Sequence, residues 1–159
     1  MPRPRSGPRH FTFDPEQRWV FSIGEQAATI TTFAWDAAAG TLTAGGSVPT
    51  RPEGVTRGST AEIDVHPSGR FVYGSNRGHD SIAVFRVGAD GSLALVEYES
   101  TRGTTPRSFG IDPTGRWLIA ANQRTDTLAV FRIDQGTGAL EPTGDLRPVG
   151  TPVSVIFVD

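Results

Sequence analysis

Charged and polar side chains vary at three matching positions of a repeated sequence pattern. Three turn prolines, Pro15, Pro67 and Pro113, set the register of the pattern. The varying positions lie six residues before the proline (Arg9, Ala61, Arg107), five before it (His10, Glu62, Ser108) and ten after it (Glu25, Arg77, Gln123). An imidazole, carboxylates and guanidiniums are the groups that proteins use to move protons and to bind anions. These positions are therefore the candidates for a functional site.

The roles of these side chains follow from their chemistry. Histidines ordinarily titrate near pH 6.5, so His10 is a candidate general base at neutral pH. Glu25 or Glu62 would orient that base, or serve as the base if burial raises its pKa. Arg77 and Arg107 carry planar forks suited to phosphate or carboxylate, and Arg9 is a further donor. Which of His10, Glu25 and Glu62 is the base stays open at this stage.

The pattern that positions these residues is an internal repeat of β-strands. It recurs after 52 and then 46 residues, and each repeat contains four strand-like runs separated by Gly and Pro turns. The third run is apolar on both faces, as in SIAVFRV from Ser81, which indicates a strand sandwiched between sheets. A repeat of this length with four strands is typical of a β-propeller blade.

The sequence thus predicts an all-β fold, an arc of a β-propeller that occupies residues 1–159 as one partial domain. The expected blades are approximately residues 8–55, 60–103 and 106–148, followed by one extra inner strand at 152–158. In an antiparallel sheet, the start of the first strand and the end of the second lie at the same end of the blade. The varying positions should therefore meet at one mouth of the propeller, near its axis.

Composition excludes several other classes of protein. The 19 Gly and 12 Pro rule out a helical bundle, and the absence of Cys rules out disulfides and thiolate catalysis. A net charge of −2, with no Lys, offers no basic patch for nucleic acid or for a membrane surface. No His, Asp and Glu cluster has metal-ligand spacing, so we expect neither metal nor cofactor. The start of the chain lacks an apolar segment, which predicts a cytoplasmic protein.

Several segments, in order and spacing, resemble the lactonase family of seven-bladed propellers. They are GPRH from Gly7, AEIDVHPSGRFVYGSNRGHDSIAVF from Ala61, TPRSFGIDPTGRWLIAANQ from Thr105, and the TGAL turn. The resemblance covers essentially the whole chain and corresponds to the C-terminal part of a family member. The family includes bacterial 6-phosphogluconolactonase and the fungal carboxy-cis,cis-muconate cyclase. Where the family has Asn-Glu-Leu, this chain has Gly24-Glu25-Gln26, so the acid is kept.

The resemblance implies an enzyme that hydrolyses a sugar lactone. The implied reaction converts 6-phospho-D-glucono-1,5-lactone to 6-phosphogluconate in the pentose phosphate pathway, without a cofactor. The predicted catalytic residues are His10, Glu25, Glu62 and Arg77, and the predicted substrate-binding residues are Arg9, Arg107, Asn76, Asn122 and Gln123. Asn76 and Asn122, which share a register, also have a structural interpretation as strand-end residues.

Two alternatives remain open from the sequence. One is a muconate-type lactone cyclase that uses the same mouth, and the other is a non-catalytic propeller that binds partners. A partner-binding propeller needs no convergent Arg, Glu and His side chains at its mouth. An arc with open blade edges also predicts self-association, because its apolar flanks would otherwise face water. The sequence alone leaves open whether the chain is a fragment or begins at a misassigned start.

Overall fold

The computed structural model describes residues 6–158, which form three four-stranded antiparallel sheets. The first sheet contains β1 (Pro8–Phe13), β2 (Trp19–Gly24), β3 (Thr29–Asp36) and β4 (Thr41–Pro49). The second contains β5 (Ser59–Val65), β6 (Phe71–Arg77), β7 (Ser81–Val87) and β8 (Leu93–Ser100). The third contains β9 (Pro106–Ile111), β10 (Trp117–Asn122), β11 (Thr127–Ile133) and β12 (Leu140–Pro148). In each sheet the strands lie in chain order, so every connection within a sheet is a hairpin.

The turn after each first strand is fixed by a side chain that accepts backbone hydrogen bonds. Asp14 Oδ1 accepts from the N–H groups of Arg18 and Trp19 at 2.6 and 2.7 Å. In the third sheet Asp112 Oδ1 accepts from the equivalent groups of Arg116 and Trp117 at 2.8 and 2.7 Å. A proline follows each of these aspartates and presets the backbone for the turn. The turn prolines therefore mark true structural repeats.

Two apolar layers hold the sheets together face to face. The layer between the first and second sheets contains Phe21, Ile23, Ile30, Ile63, Val65, Val72, Ala83 and Phe85. The layer between the second and third contains Phe71, Tyr73, Ile82, Val84, Phe109, Ile111, Leu118 and Phe131, among others. Residues 82–85 of β7 are buried on both faces, because the second sheet lies between the other two. The predicted all-β arc of propeller blades is confirmed, and residues 6–158 contain no helix able to cross a bilayer.

The segment after the third sheet differs from its prediction. The extra inner strand expected at 152–158 is not assigned to any strand, although the segment lies beside β9. Val155 N–H donates to Ser108 Oγ at 3.3 Å, and Val155 also packs close to Gly110. A strand needs a neighbour that satisfies its backbone groups in a regular ladder. Here the contact runs through a side chain instead of through a second strand.

Candidate functional site

The first strand of every sheet carries a β-bulge at the same register. One extra residue lies between Pro8 and His10 of β1, opposite Gly24 and Ile23. Equivalent shifts occur between Thr60 and Ile63 of β5 and beside Arg107 of β9. Consecutive side chains of a regular strand point to opposite faces, and a bulge suspends that alternation. The bulges explain how two adjacent varying positions, such as Arg9 and His10, both take part in one site.

The second varying position forms a hydrogen-bonded series across three blades. His10 Nδ1 lies 2.5 Å from Glu62 Oε1, and Ser108 Oγ donates to Glu62 Oε2 at 3.4 Å. Glu62 N–H donates to Ser75 Oγ at 2.9 Å, which holds the backbone of the glutamate against β6. Glu62 is therefore the link between the first and third sheets. With the Nδ1 proton donated to this carboxylate, His10 Nε2 is unprotonated and its lone pair lies 3.3 Å from Arg9 Nη1.

The first and third varying positions form a cationic cluster around one carboxylate. Arg77 Nη2 donates to Glu25 Oε1 and, at 2.9 Å, to the carbonyl oxygen of Thr60. Arg9 Nε lies 3.8 Å from Glu25 Oε2, and Arg9 Nη1 donates to the Ala61 carbonyl oxygen at 2.6 Å. The two arginine side chains are only 16% and 17% exposed, whereas Glu25 is 40% exposed. The cluster thus presents two guanidiniums, fixed by carbonyl groups, around a more open acid.

The charge of the cluster is not balanced. Burial lowers the pKa of Arg9, and the neighbouring positive charges of Arg77 and Arg107 lower it further, against the opposing effect of Glu62 and Glu25. The Arg9 Nη1 atom also lies 3.3 Å from both ring nitrogens of His10, which joins the cluster to the His10–Glu62 pair. A guanidinium in this situation gains from an added anion. The mouth is therefore suited to a ligand with negative charge.

Arg107 and Gln123 are held by fewer protein contacts than Arg9, Glu25 and Arg77. Both are partly buried, and within residues 6–158 neither side chain makes a hydrogen bond or ion pair. The charge of Arg107 nevertheless reaches Arg9 and contributes to its lowered pKa. Donors without a protein partner are available to a ligand. Both residues remain candidates for substrate binding, as the sequence predicts.

The prediction that Asn76 and Asn122 bind substrate is wrong for these two residues. Both side chains are fully buried. Asn76 Nδ2 donates to the Thr50 carbonyl oxygen at 2.7 Å, and Asn122 Nδ2 donates to that of Thr101 at 2.8 Å. A side chain without exposed surface does not reach a ligand. These asparagines fasten the connection that follows each fourth strand, which agrees with their structural interpretation.

A cleft of about 480 Å³ opens between the first strands of the sheets. It is lined by residues from β1, β5, β9 and the segment after the third sheet, including Thr12, Glu62, Asp64, Ser108 and Phe157. Because every sheet contributes its first strand, the cleft lies at the axis of the arc. It shares Glu62 with the His10 pair, so the mouth and the cleft form one continuous site.

Asp64 is a titratable residue of this cleft that the sequence analysis missed. Burial, and next the negative charge of Glu62, raise its pKa from an ordinary value of 3.8 to about 6. Asp64 Oδ1 accepts the Val65 N–H at 2.8 Å, and this donor, together with the backbone of Ile111 on β9, opposes the rise in its pKa. The signal was present, because Asp64 aligns with Thr12 and Gly110 at a fourth varying position, two residues after that of Glu62. Residues two apart on a strand share a face.

Residues 6–158 contain no group of three or more His, Asp or Glu side chains placed to hold an ion. The site is instead built from paired acids and bases at the end of a channel. Three sheets that present their first strands to a common polar channel define a β-propeller with a channel-mouth site.

Comparison with known proteins identifies the kind of propeller. Residues 2–157 match the family described as lactonase, 7-bladed beta-propeller, and the chain belongs to this family. The family resemblance expected from the sequence is confirmed.

Individual relatives agree with the family assignment. A 6-phosphogluconolactonase of Pectobacterium carotovorum is 39% identical over 159 residues, which are 97% of this chain and 47% of that protein. A crystal structure of a protein from Lactobacillus plantarum is 36% identical, with a TM-score of 0.94, and the match covers 98% of this chain and 46% of that one. The Pseudomonas aeruginosa periplasmic gluconolactonase is 33% identical, with a TM-score of 0.86, over 94% of this chain and 42% of its own. The chain spans about half the length of the curated relatives it matches.

Proposed function

We propose that this protein hydrolyses a sugar lactone, with 6-phospho-D-glucono-1,5-lactone as substrate and 6-phosphogluconate as product. The observation that carries the proposal is the His10–Glu62 pair beside the Arg9–Glu25–Arg77 cluster at one channel mouth. The relative named 6-phosphogluconolactonase supports the same reaction. Because the chain spans about half of that relative, its own activity has to be measured.

In the proposed reaction, His10 acts as the general base. Its Nε2 atom removes a proton from a water molecule, whose oxygen forms a bond to the lactone carbonyl carbon. Glu62, 2.5 Å from Nδ1, keeps the ring in the tautomer with an unprotonated Nε2 and stabilises the imidazolium that forms. The bond between the carbonyl carbon and the ring oxygen then breaks, and the imidazolium returns its proton to that oxygen. One water is consumed, and a carboxylic acid and an alcohol are formed.

The cationic cluster has two tasks in this scheme. Arg9, whose Nη1 lies 3.3 Å from the His10 ring, is placed to stabilise the oxyanion of the tetrahedral intermediate. Arg77, supported by Arg107, binds the phosphate of the substrate. Glu25 forms ion pairs with both guanidiniums and so holds them beside each other. A base, an oxyanion donor and an anion clamp are the groups that ester hydrolysis requires.

Lactone hydrolysis by the 159-residue chain tests the proposal. Acid release from 6-phosphogluconolactone is followed in a pH-stat, with the spontaneous rate subtracted. We expect acceleration by the wild-type chain and its loss in His10→Gln. A carboxymuconolactone serves as the competing substrate, and a preference for it would favour the cyclase alternative. A rate equal to the spontaneous one with every lactone would overturn the proposal and favour a partner-binding propeller.

We also propose that the chain self-associates through its two open faces. The first open face, on the first sheet, contains Phe11, Phe13, Phe33, Trp35 and Leu42 and lines an apolar groove of about 330 Å³. The second open face, on the third sheet, contains Trp117, Ile119, Leu128 and Val130. Phe11 is 66% exposed and Trp117 is 41% exposed. Apolar surfaces of this kind favour a partner that covers them.

The internal repeat identifies a second copy as the partner that fits. Phe13 and Phe33 align with Val65 and Phe85, which pack the second sheet against the first. Trp117 aligns in the same way with Phe71, which packs the second sheet against the third. Each open face thus corresponds to a face that is buried in one of the two apolar layers between neighbouring sheets. The second open face of one copy is therefore complementary to the first open face of another.

Finally, we propose a cytoplasmic location. The proposed substrate carries an ionised phosphate, which does not cross a bilayer unaided. The Pseudomonas aeruginosa neighbour is described as periplasmic, so the location needs its own test. Fractionation of the native cells, with detection by an antibody, should place the protein with cytoplasmic markers. Its recovery with periplasmic markers would contradict the proposal.

A further inference from the structure

Asp64 lies deeper in the channel than the groups that the proposed reaction uses. It follows Glu62 by two residues on β5, and both residues line the same cleft. Two residues of an antiparallel strand span roughly 6.8 Å. Along β5, Asp64 therefore lies further from the mouth than Glu62.

The orientation of Asp64 is fixed by the protein backbone. Its carboxylate accepts a hydrogen bond from Val65 N–H at 2.8 Å, and the backbone of Ile111 on the neighbouring blade also stabilises its charged form. An ionised carboxylate has about four lone-pair sites, so the Val65 donor leaves capacity for further donors. Water or ligand hydroxyl groups in the cleft are the donors that can use it. Burial, and next the charge of Glu62, raise its pKa, so a donor that reaches this carboxylate would stabilise its charged form.

The order of groups along the channel matches the order of groups in a sugar lactone. The Arg9–Glu25–Arg77 cluster lies at the mouth, the His10–Glu62 pair follows, and Asp64 lies below them. In 6-phosphogluconolactone, the phosphate-bearing carbon and the ester group lie on one side of the ring. The hydroxyl groups on carbons 2, 3 and 4 lie on the other side. A ring with its phosphate at the arginines and its ester at His10 directs these hydroxyls toward Asp64.

We infer that Asp64 is a specificity-determining residue that accepts hydrogen bonds from the ring hydroxyls of the lactone. The inference rests on the proposed function. It adds that the site selects lactone rings with hydroxyl groups over rings without them. Hydrogen bonds to a carboxylate are about twice as strong as those between neutral groups. A site built to bind a hydroxyl group also disfavours an analogue that lacks it, because its buried acceptor is then left unpaired. Asp64 together with Glu62 likewise disfavours a ring that carries carboxylates at this depth.

The test compares two stable phosphates that share the anion and differ in ring hydroxyls. Glucose 6-phosphate has the hydroxylated ring, and tetrahydropyran-2-ylmethyl phosphate has none. Calorimetric titration of the 159-residue chain should show at least tenfold tighter binding of glucose 6-phosphate. Asp64→Asn and Asp64→Ala should each weaken glucose 6-phosphate binding at least tenfold and change binding of the other phosphate less than twofold. Asparagine has nearly the same shape as aspartate, so Asp64→Asn still tests the inference if Asp64→Ala impairs folding.

Glu141→Gln is the matched control. It removes one negative charge from β12, the strand furthest from the channel in the third sheet, and should leave both affinities unchanged. Equal weakening of both ligands by Asp64→Asn, or no weakening of either, would overturn the inference, as would a wild-type chain that does not discriminate between them. Hydrolysis of 6-phosphogluconolactone with an unchanged KM in Asp64→Asn would overturn only the role of Asp64. Absence of both binding and hydrolysis would overturn the role and the proposed function together.

Discussion

Glu62 Oε1 lies 2.5 Å from His10 Nδ1, although the two residues are 52 positions apart and belong to different blades. They occupy the same register of consecutive repeats, five residues before the turn proline. Neighbouring first strands bring equivalent positions together at the channel. A single structural position thus carries a histidine in one blade and its carboxylate partner in the next. This relationship allows the two halves of the proposed base to be tested separately.

Replacing His10 should affect the chemical step more than binding. We expect His10→Gln to lower kcat for 6-phosphogluconolactone by at least 100-fold, the usual scale for loss of a general base. Glu62→Gln should lower kcat less, because the base remains and only its orientation and charge stabilisation are reduced. His79→Gln is the matched control, since His79 bonds to Ser81 in a turn and has no proposed role. An unchanged kcat in His10→Gln would remove His10 from the reaction.

Replacing Arg77 should weaken the proposed anion clamp. Arg77→Ala removes the donor to Glu25 and Thr60 and leaves Glu25 with Arg9 alone. We expect kcat/KM for 6-phosphogluconolactone to fall. The fall should correspond to a loss of about 2–4 kcal/mol in transition-state stabilisation. The loss should be much smaller with δ-gluconolactone, which has no phosphate. Equal losses with the two lactones would show that Arg77 does not bind the phosphate.

Candidate site residues could be predicted from the sequence where equivalent positions of the repeat differ in residue type. Comparing equivalent positions identified His10 and Glu62, because the blade accounts for everything that the repeats share. The bulges were not predicted, since an inserted residue changes the backbone path without a characteristic composition. The burial of Asn76 was also not decided by sequence, because its partner Thr50 is 26 residues away and approaches only through packing.

The buried asparagines should contribute to stability and not to substrate binding. Asn76→Ala removes the hydrogen bond to Thr50 and leaves that carbonyl group buried without its donor. We expect the free energy of unfolding to fall by about 1–3 kcal/mol, with KM unchanged. Asn122→Ala should behave alike, since Asn122 makes the equivalent bond to Thr101. Denaturant titration measures the stability, and an increase in KM without loss of stability would restore the substrate-binding prediction.

The raised pKa of Asp64 should appear in the pH dependence of stability. Burial, and then Glu62, raise this pKa to about 6 in the folded protein, from 3.8 ordinarily. The folded state therefore holds the proton more tightly, and this group's contribution to stability declines as pH rises from about 4 to 6. Asp64→Asn removes the effect. Relative to wild type, the variant should gain up to about 3 kcal/mol between pH 4 and 7. A pH-independent difference in denaturant titrations would contradict the raised pKa.

The open faces should cause self-association of the chain, and a single charged substitution on either face should prevent it. The first open face includes Phe13, 5.8 Å from Trp35 between ring centroids, and the second includes Trp117. A charge placed on either face would be buried without a partner on association, which costs more than the contact stabilises. We therefore expect light scattering to give a mass above 17.0 kDa for the wild-type chain and a mass near 17.0 kDa for Phe13→Glu and Trp117→Glu. Leu95→Glu is the control, because Leu95 is 49% exposed on the middle sheet and should not alter the mass. A monomeric wild-type chain with full lactonase turnover would contradict association and show that the uncovered arc suffices for the reaction.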